Sequence, residues 1–264
     1  MSSEAEICRK KIKRTLFCND RISALPDDLL LHILCLIPTK DAVTTMVLSK
    51  RWRSVWTMLP KLDYTENSEG EKCVWNFLDK SLQLHRAPSL ERLRIDLGQQ
   101  CPVDVGVGKW VLNAVNRCVR ELLLKIRFIP TADPTSLPKS LYTCKALVKL
   151  SLWGAILIDV PSSACLPSLE SLVLAKIFEW KNFGGSREEK QFLAYILANS
   201  NCLKTVGILL RPSQTENDDE EKEKIMEDLE SMYRVSASSQ LLFSAKFRWR
   251  YYREAEKSGL FCSF

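Results

Sequence analysis

Four short leucine strings of one form constrain this chain more than any other feature: Leu90-x-x-Leu93-x-Ile95, Val119-x-x-Leu122-x-Leu124, Leu147-x-x-Leu150-x-Leu152 and Leu169-x-x-Leu172-x-Leu174. Their starts lie 29, 28 and 22 residues apart, and a fifth string, Leu203-x-x-Val206-x-Ile208, follows after 34. The last two apolar positions of each string stand two residues apart, the period of a strand that turns both to one face. Turn residues stand between them, among them Pro88, Pro130, Pro138, Pro161 and Pro167. A single string of this form matches many amphipathic segments. Four at related spacing, two with a Pro167-Ser168 or Cys144-Lys145 lead-in, predict repeated strands stacked into a short solenoid with a shared core.

Residues 20–60 have another character and predict three short helices. Pro26 opens the first, and Asp27 and Asp28 suit the positive end of its dipole. The run Leu29–Ile37 is apolar except for His32, and Pro38 stops it. Thr39 can cap a second helix through Lys40–Val47, with Ala42, Val43, Met46 and Val47 on one face. Ser49 can cap a third, in which Trp52 and Trp56 stand four apart on one side. A surface helix needs one apolar stripe, but Leu29, Leu30, Leu31, Ile33, Leu34, Leu36 and Ile37 cover well over half of the first helix. About forty residues cannot bury both sides of it. One side therefore packs on the other two helices, and the second needs a partner.

Several function classes are set aside on composition. The net charge of +6 is too mild to argue for nucleic acid by itself. The ten cysteines form no CxxC pair, and with His32 and His85 the only histidines no metal-ligand cluster is expected. Neither histidine is paired with a serine or cysteine in a nucleophile motif, and no phosphate-cradling glycine loop occurs; Gly184-Gly185 reads as a turn. The expectation is a non-enzyme with no cofactor and no metal. Scattered thiols, the lack of an apolar leader and of any run long enough to span a bilayer predict a protein of the cytoplasm or nucleus, with no membrane partner. Arg9, Lys10, Lys11, Lys13 and Arg14 make residues 1–19 a solvated basic tail, a nuclear-import signal being the sharper alternative. Residues 186–200 predict a helix, with Ser186 and Glu189 as a capping box and Phe192, Leu193, Ile196 and Leu197 as its buried stripe. The acidic run 212–224 reads as a solvated loop leading into a helix near 222–233.

The segment DRISALPDDLLLHILCLIPTKDAVTTMVLSKRWRSVW resembles the F-box of plant F-box proteins across nearly its whole length. The strings that follow fit the plant F-box/LRR class, and REEKQFLAYILANSNCLKTVGI resembles the FBD region that ends many of those proteins. The resemblance implies an α+β repeat architecture: a three-helix F-box (20–60), a short leucine-rich-repeat solenoid (61–180), an FBD-like α/β region (181–245) and a divergent tail (246–264). It also implies a function. The F-box docks a Skp-type adaptor and through it a cullin, and the repeats recruit a protein target for ubiquitination in an SCF-type ligase. Leu25, Pro26, Leu30, Ile33, Leu34, Pro38, Val43, Leu48, Trp52 and Trp56 are the positions implied for docking or for the F-box core. The chain looks short for the class. An adaptor-binding scaffold, or a truncated member without a target, is the first alternative. The second is nucleic-acid binding, for which the arginines and aromatics of KRWRSVW and KFRWRYYR are the only argument.

Overall fold

The computed structural model describes residues 22, 24–66, 74–98, 106–126, 135–154, 156, 157, 159, 161, 164–175, 187–210 and 216–244. The basic tail, the Gly184-Gly185 turn, the Ser186 cap and the tail from residue 246 lie outside them. The chain divides into two compact units, residues 1–59 and 60–264.

The first unit holds α1 (Asp27–Leu34), α2 (Thr39–Thr44) and α3 (Lys50–Val55), with 3-10 turns at Thr45–Val47 and Trp56–Met58. Pro26 precedes α1 and both acidic residues stand in its first turn, as expected. The helix is shorter than the apolar run: Leu36 and Ile37 lie in the turn beyond, held by bonds to the carbonyls of Ile33 and Leu34. Thr39 is the first residue of α2 rather than its cap, and neither Pro38 nor Ser49 makes a side-chain capping bond.

The second unit is built on a parallel seven-stranded sheet: β1 (Lys61–Thr65), β2 (Arg92–Leu97), β3 (Glu121–Ile126), β5 (Lys149–Gly154), β7 (Ser171–Ala175), β8 (Thr205–Leu209) and β9 (Gln240–Ser244). Their spatial order is their chain order. Two short strands, β4 (Thr135–Ser136) and β6 (Ile156–Leu157), pair separately. The five strings supply β2, β3, β5, β7 and β8. Register aligns them residue for residue, so that Leu62, Leu93, Leu122, Leu150, Leu172, Val206 and Leu241 form one row across the sheet. Tyr64, Ile95, Leu124, Leu152, Leu174, Ile208 and Phe243 form the next. From β1 to β8 both rows are buried, as are the string starts Leu90, Val119, Leu147, Leu169 and Leu203. Each such leucine, removed from water, contributes about 1.5–3 kcal/mol. A one-residue slip would turn a whole row outward, which is why the register holds.

Parallel strands need crossovers, and α4 (Val74–Leu84) and α5 (Val107–Asn116) lie in the first two. α6 (Arg187–Asn199) joins β7 to β8, burying the predicted Phe192, Leu193, Ile196 and Leu197. The acidic run corrects the sequence reading: α7 spans Glu216–Glu230, so most of the run is helix rather than loop. Acidic residues at a helix N-terminus meet its positive end, and Lys222 pairs with Asp219 one turn away. Lys190 of α6 reaches Asp228 of α7 at 2.6 Å, and its hydrogen bond and charge hold that carboxyl below the ordinary range.

The opposite face of the sheet carries charge at its start and apolar groups further along. Arg92 and Lys149 flank Glu121 at 2.6 and 2.9 Å. Asp96 and Lys125 pair at 3.1 Å, both buried, and Trp153, Val173 and Ala175 cluster with Leu209 packed against them. Gly154 ends β5 at φ 108, where an added Cβ would stand 1.9 Å from the carbonyl oxygen of Ile126, so the strand closes on glycine.

Candidate adaptor-docking site

The helices of the first unit sort the ten sequence-selected residues into three groups. Leu30, Leu34, Trp52 and Trp56 are buried, at 0, 2, 4 and 3% exposure, and make the interior. Leu30 and Leu34 are one turn apart on α1, and Trp52 and Trp56 one turn apart at α3. Leu25 and Val43 are half-buried. Pro26, Ile33, Pro38 and Leu48 are exposed. The first four thus lie in the interior, and the last four stand at the surface.

The two-sided character of α1 is now a geometry. Leu30 and Leu34 point inward while Leu29 and Ile33, on the same eight-residue helix, are 49 and 43% exposed. The stretches after α1 and α2 add more: Leu36 is 84% exposed, Val47 80% and Leu48 62%, with Ile37 and Met46 also exposed. Leu29, Leu36, Ile37, Met46 and Val47 were not among the selected positions. Their type was visible in the sequence, but Met46 and Val47 share a predicted face with Ala42, which is buried, and the 3-10 turn at Thr45–Val47 rotates them away from it.

Polar contacts frame this surface. His32, on the outer side of α1, has its Nδ1 2.7 Å from the Asp28 carbonyl oxygen. Arg51 of α3 donates from Nε to Asp27 Oδ1 at 2.7 Å and from Nη2 to the Leu25 carbonyl at 2.5 Å. Arg51 carries no signal in the sequence that separates it from any solvated helix arginine.

His85 is buried, with Arg117 donating to its Nδ1 and, at 2.8 Å, to its own carbonyl oxygen. No group of three or more His, Cys, Asp or Glu stands where it could hold a metal ion, and no helix is long and apolar enough to cross a membrane, both among the described residues. Cys118, Cys144, Cys165 and Cys202 carry free thiols, and burial pushes that of Cys144 up.

Comparison with known proteins gives two family matches: the F-box domain over residues 22–64 and the FBD over residues 176–208. An Arabidopsis thaliana protein named among the F-box/FBD/LRR-repeat proteins is 55% identical over 170 residues, 64% of this chain and 43% of the relative. Another of that name and organism is 48% identical over 205 residues, 78% of this chain and 40% of the relative. An Arabidopsis FBD-associated F-box protein is 56% identical over 161 residues, 60% of this chain and 36% of the relative. The chain therefore spans well under half the length of these curated relatives. No solved structure matches it.

Proposed function

We propose, for a chain that carries the F-box and the FBD of the plant F-box/FBD/LRR-repeat proteins, that it is a substrate-receptor subunit of an SCF-type ubiquitin ligase. Its F-box docks a Skp-type adaptor and through it a cullin, and its leucine-rich repeats hold a protein target. One observation carries the reading: the exposed apolar set Leu29, Ile33, Leu36, Ile37, Val47 and Leu48 on a unit whose own interior is already filled by Leu30, Leu34, Trp52 and Trp56. Large apolar groups concentrated on so small a unit mark a surface that a partner covers. The seven parallel strands in chain order fit a repeat solenoid, each strand the inner edge of one repeat. Such a subunit makes and breaks no bond. It raises the concentration of a target beside the ubiquitin-carrying enzyme, so the chain is proposed to be non-catalytic and to work in cytoplasm or nucleus.

The test separates docking from folding. Leu36→Glu and Val47→Glu alter the two most exposed apolar side chains of the set and touch no buried one. Each is expected to leave the thermal midpoint of the full chain within a degree or two, since surface changes stay near ±0.5 kcal/mol. Together they are expected to abolish capture of a purified plant Skp-type adaptor. Capture at wild-type strength by the double variant would remove this surface as the docking site. Target recruitment is tested by affinity purification with and without a proteasome inhibitor; an adaptor complex that never enriches a further protein favours the scaffold alternative.

A further inference from the structure

Arg51 stands at the second position of α3, and its guanidinium reaches back 24 and 26 residues. Nε and Nη2 both approach Asp27 Oδ1, at 2.7 and 2.6 Å, and Nη2 also donates to the Leu25 carbonyl at 2.5 Å. One planar group therefore ties down both ends of the tripeptide Leu25-Pro26-Asp27, the lead-in and first residue of α1. The adjacent Trp52 is buried, so the backbone from which Arg51 reaches is anchored in the interior. Leu25 adds a bond from its N–H to the Ile22 carbonyl at 3.1 Å, which closes a turn ahead of the same corner. Pro26 is exposed and Leu25 half-buried. Neither residue is fully buried.

We propose that Arg51 is a positioning residue for adaptor docking: by clamping the Leu25 carbonyl and the Asp27 carboxylate, it holds the Leu25-Pro26 corner in the conformation that the adaptor reads. The inference rests on the docking function proposed above. With 35% of the Arg51 side chain and 62% of that of Asp27 exposed, the pair adds little to folding. Its effect falls on binding, because a corner already ordered loses less freedom when the partner closes on it. Lysine is a poor substitute, since a single ammonium cannot present two in-plane donors to a carboxylate and a carbonyl together.

The experiment measures affinity of this whole chain for a purified plant Skp-type adaptor, beside thermal unfolding of the same samples. Arg51→Ala is expected to bind about tenfold more weakly, a change of about 1.4 kcal/mol, with the thermal midpoint almost unmoved. Arg51→Lys is expected to recover only part of the loss. Asp27→Ala, which spares the Leu25 contact, is expected to be milder, and the Arg51→Ala loss is expected to shrink in the Asp27→Ala background. Unchanged affinity in Arg51→Ala overturns the inference. So do fully additive losses, which would mean that Arg51 touches the adaptor directly, and so does a loss of affinity that merely follows a lowered midpoint. Should Arg51→Ala fail to fold, the Arg51→Lys and Asp27→Ala pair decides in the same way. An unmodified chain that does not bind the adaptor sinks the docking function and this inference with it, whereas an Arg51 variant binding as the unmodified chain does sinks the inference alone.

Discussion

Cys118 has φ 53, a conformation in which an L side chain crowds the following carbonyl. It follows α5, where its N–H bonds to the Val115 carbonyl and that of Val119 to the Ala114 carbonyl, at 3.0 and 3.1 Å. This is the two-bond cap that helices ordinarily close with glycine. The cysteine is exposed and no disulfide needs it. Cys118→Gly is therefore expected to raise unfolding stability by about 1 kcal/mol, read as a higher urea midpoint at unchanged slope. A fall in midpoint would mean that the thiol makes a contact worth more than the strain. None of this could be read from the residues 116–119, because an unfavourable cap looks like any other junction until the helix before it is known. The α5 stripe itself, Val107, Trp110, Val111 and Ala114, was legible at helical spacing but was overshadowed by the neighbouring strings.

At the scale of the element, the rung Arg92–Glu121–Lys149 joins three adjacent strands on the face opposite the leucine rows. Burial pushes the Glu121 carboxyl up, but the hydrogen bond from Lys149 and the charge and hydrogen bond of Arg92 outweigh it and hold the group below its ordinary value. The depressed folded value fixes the sign: the stabilisation is complete above the unfolded-state value of about 4.3 and is lost as pH falls through the folded one. Glu121→Gln is expected to cost about 0.5–1 kcal/mol at pH 7. The difference from the unmodified chain should close toward pH 3 in urea unfolding at stepped pH. A difference that stayed constant across that range would assign the cost to packing rather than charge. The strings themselves were plain in the sequence because each leucine repeats its offset. β1 escaped because its string, Leu59-x-x-Leu62-x-Tyr64, ends on tyrosine, and β9 because the residues before it are serines rather than leucine. In α4 the stripe is broken by Ser81, a buried hydroxyl bonded to Tyr64 and to the Leu78 carbonyl, which a reading by hydropathy scores as solvent-facing. The acidic stretch reads as loop for a similar reason: among the described side chains of Glu216–Glu230 only Ile225 and Leu229 are buried, too thin a stripe to stand out against the charge.

For the molecule as a whole, the interior and the exterior of the first unit were legible to different degrees. That α1 has more apolar surface than three helices can cover followed from its composition alone. Which leucines face out did not, since it depends on where the helix stops, and it stops before Leu36. The segment 20–60 made alone is expected to be poorly ordered, and to gain helical circular dichroism and protease resistance on mixing with a Skp-type adaptor. A segment that is already monomeric, helical and resistant by itself would contradict the claim that its outer apolar side chains need a partner.

The sheet has a further consequence. Because its strands stand side by side in the order in which the chain makes them, every pairing is with the strand just before or just after. No strand waits for a distant segment to arrive, so the sheet can grow outward from any pair already formed. The same wiring makes length a free variable. A strand and its return can be inserted or lost as one course in a wall, and only the courses above and below must be refitted. A lineage built this way can change the area of its sheet without redesigning how it folds.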